Sequence, residues 1–206
     1  NLYDRLASRY TKALARSMAQ TKQIKAASIL NNAFSTGSPV GDGAALCSAA
    51  HPSLSGNQRN LLSVAADLNE TSLENAIIDI AAFTDERGLL IAARPKTLIV
   101  PPALMFTADR LLETTQRVGT SDNDVNAIRN MGAIPGGYAV NHYLTDTNAF
   151  YIITDIPNGM KHFERTSLET SMDGDFDTGN VRYKARERYS FGVSDPLGIY
   201  GSPGSS

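Results

Sequence analysis

The stretch TGNVRYKARERYSFGV, residues 178–193, is basic at nearly every second position from Val181 onward, and the residues between are mostly apolar or aromatic. In a strand, residues two apart share a face. Arg182, Lys184, Arg186 and Arg188 therefore line one side, and Val181, Tyr183, Ala185, Tyr189, Phe191 and Val193 mostly line the other. Basic residues interleaved with aromatics suit a nucleic-acid grip, but a half-buried structural strand shows the same alternation without any ligand. Charge separates the two readings. The strand carries four basic residues and Glu187, a net +3, while the preceding SMDGDFDTGN carries Asp173, Asp175 and Asp177, a net −3. The segment is neutral as a whole, which favours pairing within or between subunits over a general phosphate grip.

Outward from this strand, Met160 to Thr170 reads as the other arm of a long hairpin, with SMDGDFDTGN as its turn. At about 3.3 Å per residue the second arm reaches roughly 43 Å. At the opposite end of the chain, Leu2 to Phe34 lacks proline and glycine, and small or apolar residues recur at Tyr3, Leu6, Tyr10, Ala13, Leu14, Ser17, Met18, Ile24, Ala27 and Phe34. That spacing predicts a helix of about 50 Å at about 1.5 Å per residue. A two-stranded coiled coil is the alternative, but Gln20 and Asn31 interrupt the seam. A compact chain of this length has a radius of gyration of about 17 Å. Both terminal elements exceed such a body, and contact with other subunits is the simplest way to stabilise them.

Between them, TGSPVGDGAALCSAAHPSLSGNQRN reads as a long irregular segment. A second helix is predicted from Thr71, where Thr71 and Glu74 have capping-box spacing, with Leu73, Ala76, Ile77, Ile80 and Ala81 as its apolar stripe, ending before Gly88. Thr97–Val100 reads as a buried strand, and Pro101-Pro102 leads into a helix from Ala103 to about Thr114. TSDNDVNAIRNMGAIPGG is polar and turn-rich, and Phe150–Thr154 is a further apolar strand.

The 206 residues are 42% hydrophobic and 19% charged, an ordinary folded composition, and the net charge of −2 excludes a generally basic nucleic-acid binder. A single cysteine, Cys47, excludes an internal disulfide and points to a reduced or redox-indifferent setting. No apolar run approaches the ~20 residues that span a bilayer. The start at Asn1, within a helical pattern and without methionine, is what an internal piece of a longer product shows.

Chemistry finds few footholds. Cys47 and His51, with Asp42 nearby, suggest a thiol hydrolase, but GDGAALCSAAHP has neither a nucleophile elbow nor a cysteine-hydrolase signature. The expectation is a small buried Cys47 and a turn at His51-Pro52. His51, His142 and His162 stand far apart, without zinc-ligand spacing. Counted from Asp173, Thr178 stands where a calcium loop needs glycine and Lys184 where it needs glutamate, so the turn reads as a solvated acidic loop. No nucleotide-binding glycine motif occurs.

Taken in order, these pieces resemble the major capsid (major head) proteins of tailed bacteriophages, which have the Johnson-type shell fold. The resemblance rests on LYDRLASRYTKALARSMAQTKQIKAASILNNAF, GDG at 41–43, TSLENAIIDIAAFTDERG, PKTLIVPPALMFTADRLLET and DFDTGNVRYKARERYSFGVSDPLGIYG, and covers nearly the whole chain. It implies an α+β fold with a long spine helix and a long β-hairpin. Residues 1–69 and 160–206 would form a peripheral domain and residues 70–159 an axial domain. It further implies a structural role with no enzymatic activity, cofactor, metal or membrane. Copies would form hexamers and pentamers that close an icosahedral shell around packaged double-stranded DNA, with scaffold, portal and decoration proteins as further partners. Assembly would take place in the host cytoplasm, and the final location would be the virion. Arg182, Lys184, Arg186, Arg188, Asp173, Asp175 and Asp177 are then the candidate inter-subunit contacts. The N-terminal arm and extended loop that precede the spine helix in such proteins have no counterpart in these residues. An encapsulin-like compartment loaded with protein cargo is the alternative within the same fold; a Cys47/His51 hydrolase and a DNA-binding module on the basic row are the alternatives outside it.

Overall fold

Helix α1 runs Leu2–Asn31, and its 30 residues span about 45 Å. The structure is a computed structural model; it describes residues 2–117, 124–174 and 176–205, with residues 2–7 described by backbone alone. Half-buried positions on α1 recur at Thr11, Leu14, Ala15, Met18, Lys22, Ala26 and Ile29, the spacing of one helical face. The helix stops three residues before the expected Phe34. Asn31 makes tertiary bonds there: its Nδ2 donates to the Tyr143 carbonyl at 3.0 Å, and its Oδ1 accepts from the Thr145 amide at 3.0 Å.

The chain divides into two units, Asn1–Ile29 with Lys161–Gly192, and Leu30–Met160 with Val193–Ser206. In the second unit, α2 spans Glu70–Ala81, β1 Pro95–Val100, α3 Met105–Glu113, α4 Ala127–Asn130, β2 Tyr138–Val140 and β3 Phe150–Thr154. In the first unit lies a hairpin of β4, Met160–Gly174, and β5, Val181–Val193; β6, Ile199–Ser202, returns to the second unit.

Strands β2, β1, β3 and β6 form one sheet in that order. β1 and β2 are parallel, with Leu98 opposite Tyr138. A parallel pair needs a crossover connection, and α3 and α4 lie in that connection. β3 runs antiparallel to both neighbours, with Ile152 opposite Leu98 on one side and Tyr200 on the other. Leu98, Val100, Phe150, Ile152 and Tyr200 of the sheet pack with Leu73, Ala76 and Ile80 of α2 and Ala108 and Leu112 of α3 in one core. Complete burial of each larger side chain in this set is worth about 1.5–3 kcal/mol.

Several boundaries differ from expectation. α2 starts at Glu70 and is capped by Asn69, whose Oδ1 accepts from the Ser72 amide at 2.8 Å while Ser72 Oγ accepts from the Asn69 amide at 2.9 Å. Asparagine is among the strongest N-caps and takes the role expected of Thr71. The third helix opens as a 3-10 turn over Pro102–Leu104 before α3. β2 and α4 have no counterpart among the expected elements; each is four residues or shorter, below the length at which periodicity declares itself.

Candidate assembly surface

Burial along β5 alternates. Ala185, Glu187, Tyr189 and Phe191 are half-buried, and Arg182, Lys184, Arg186 and Arg188 are all exposed. Lys22 of α1 meets the covered side: its Nζ donates to Glu187 Oε1 at 2.5 Å and Glu164 Oε2 at 3.3 Å, and stands 5.3 Å from the centre of the Tyr189 ring. The hydrogen bond to Glu187, with a smaller one to Glu164, holds the Lys22 ammonium above its ordinary range against the opposing effect of desolvation. Glu164 is held below the usual carboxylate range by the hydrogen bond from Ser167 and then by that from Lys22. On the same side His162 stacks on Phe191 with ring centroids 4.8 Å apart, and Tyr189 meets Phe191 edge-on at 5.4 Å. A lysine inside a helical stripe reads from sequence as a solvated position, so Lys22 gave no signal of this role.

The basic row and the covered row thus occupy opposite sides of β5. Of the acidic candidates, Asp177 lies exposed in the turn, and Asp175 falls outside the described residues. Asp173 is also exposed but belongs to β4, which extends four residues beyond the expected end at Thr170. Backbone pairing across a hairpin is independent of side-chain polarity, so Ser171, Asp173 and Gly174 do not end the strand.

In the second unit the irregular segment after α1 is organised by a buried polar group that sequence reading missed. Asn60, fully buried, donates through Nδ2 to the carbonyls of Leu46 (2.7 Å), Pro196 (2.8 Å) and Ile199 (3.2 Å). Its Oδ1 accepts from the Ser48 amide at 2.8 Å and lies 3.1 Å from His51 Nε2. The other ring nitrogen of His51, Nδ1, lies 2.6 Å from Asp42 Oδ2. Burial alone would raise the Asp42 carboxyl, but the hydrogen bond from His51 and that from the Ala44 amide outweigh it and hold the group below its ordinary value. Asp42 and His51 therefore fasten the loop. Cys47 is buried, and burial drives its thiol far above its ordinary range, away from the thiolate a nucleophile needs. The turn expected at His51-Pro52 is a bridge between His51 and Gln58 that closes the loop's own short hairpin.

Among the described residues no cluster of His, Cys, Asp and Glu is arranged to hold a metal, and no helix is long and apolar enough to cross a membrane.

The family model described as "Phage capsid protein" matches residues 2–202. No curated protein matches the chain. Among solved structures, it is similar to a phage-related protein from Bordetella bronchiseptica RB50, at 13% identity and a TM-score of 0.53, over 96% of this chain and 64% of that one. It is also similar to a structure from Mycobacterium phage Che8, at 16% identity and a TM-score of 0.51, over 95% of this chain and 63% of that one. The chain thus spans less than two thirds of the length of either structure, and at these identities the likeness is one of fold.

Proposed function

The chain belongs to the phage capsid protein family, and from that premise we propose that it is the structural subunit of an icosahedral shell around packaged double-stranded DNA. The family match over residues 2–202 carries this reading. The mixed α+β architecture, with a helix of 30 residues at one end and a hairpin of two long strands towards the other, supports the Johnson-type shell fold with α1 as its spine. In the same reading residues 1–69 and 160–206, with α1 and the hairpin, form the peripheral domain, and residues 70–159, with α2, α3 and strands β1 to β3, form the axial domain.

Function in this reading is association. Repeated interfaces, each of modest strength, close into rings and then a shell when every subunit offers the same patches to its neighbours. Arg182, Lys184, Arg186, Arg188, Asp173, Asp175 and Asp177 contribute the charged part of those patches, the basic strand of one copy meeting the acidic turn of another. Hexamers and pentamers, scaffold, portal and decoration proteins, assembly in the host cytoplasm and a final place in the virion belong to the same proposal. Electron microscopy of the full-length product tests it: icosahedral particles containing DNA are expected. A monodisperse monomer with no tendency to assemble at high concentration would overturn it, and particles filled with an enzyme and free of nucleic acid would reassign the shell to the encapsulin-like alternative.

A further inference from the structure

We infer that the half of the hairpin nearest its turn docks on a second copy of this chain through an apolar stripe of Leu168, Met172, Val181 and Tyr183, on the opposite side of the ribbon from the basic row. The inference rests on the assembly reading and names the surface that carries most of the contact.

Alternation defines the stripe. His162 and Glu164 share the covered side of the hairpin with Glu187, Tyr189 and Phe191, as their contacts with Phe191 and Lys22 show. Continuing at every second residue, that side carries Leu168 and Met172 on β4 and Val181 and Tyr183 on β5. These residues are 41%, 66%, 50% and 36% exposed, and Phe176 in the turn is wholly exposed. One side of the ribbon is therefore half-covered at the Phe191 end and apolar but open at the turn end.

Among the described residues β4 and β5 form a two-stranded sheet. A ribbon of two strands is marginal in water unless a further strand or a helix covers it, and an exposed apolar stripe on a ribbon with open edges is an association surface. Charge identifies the occupant. β5 carries a net +3, and residues 171–180 before it, the end of β4 and the turn, a net −3, so the hairpin complements a displaced copy of itself, whereas a polyanion attracted to the strand would meet repulsion at the acidic end.

The full-length product is tested with Met172→Asp/Val181→Asp and, separately, Lys184→Ala/Arg186→Ala. Sedimentation velocity gives the concentration at half-assembly at low and at high salt. The stripe variant should raise that concentration about tenfold or more at both salts, since a charge buried in an apolar contact costs at least the 1.4 kcal/mol that a factor of ten represents. The basic-row variant should weaken assembly at low salt and converge on wild type at high salt, where charge is screened. A stripe variant that assembles like wild type at high salt overturns the inference and leaves the assembly reading standing; a wild-type protein that never assembles overturns both. Folding is controlled by Val181→Cys labelled with a maleimide, the native Cys47 being buried. Labelling in particles should be at least tenfold slower than in dissociated subunits, and equal rates would overturn the inference.

Discussion

Asn60 holds three carbonyls, one amide and one imidazole nitrogen from a fully buried position. Truncation strands several of these groups without water, at about 1–3 kcal/mol for each group left unsatisfied. Asn60→Ala should therefore lower unfolding free energy by about 3 kcal/mol or more, read from urea denaturation of the chain. Asp42 makes a second prediction. Its folded value lies below the ordinary 3.8, so its contribution to stability is complete above that value and is lost as pH falls through the lower folded one. An acid titration of stability should show this loss, and Asp42→Asn should reduce the slope in that window.

At the scale of elements, α2 depends on its cap and the sheet unit on a close backbone approach. Asn69→Ala removes the side-chain acceptor for the Ser72 amide, and should cost about 1 kcal/mol in thermal or chemical denaturation. Where β3 leaves the sheet and β6 enters it, Gly159 and Gly198 touch backbone to backbone: a Cβ on Gly198 would overlap the Gly159 Cα. No flexible side chain can yield there. Gly198→Ala should shift backbone and cost about 1–3 kcal/mol, the usual range for overpacking, measured as a fall in melting temperature. Neither element stood out fully in the sequence. Phe150–Thr154 and Val181–Val193 are observed with the bounds their patterns predict, because period two over an apolar or alternating run is local information. The cap of α2 was misplaced by two residues because Asn69, Thr71 and Ser72 are all capping types and only the backbone geometry chooses among them.

At the scale of the whole molecule, the two units differ in what supports them. The sheet unit encloses the hydrophobic core, whereas β4 and β5 are exposed along most of their length. Local opening concentrates where few apolar contacts hold the backbone. Limited proteolysis of the dissociated subunit should first cut between residues 174 and 181, before any cut within β1 or β3, and assembly should suppress that cut; mass spectrometry of the fragments reads both.

The sequence by itself determined the long N-terminal helix, the alternating strand with its one-sided basic row, the charge balance of the hairpin and the family resemblance, because each is written in neighbouring residues or in their order. Tertiary structure alone decided the sheet order β2-β1-β3-β6, the pairing of Lys22 with Glu164 and Glu187, and the anchoring of the long loop by Asn60, His51 and Asp42. These join residues up to 165 positions apart, and a buried asparagine or a bridging lysine is indistinguishable in sequence from one that faces water until the chain has packed around it.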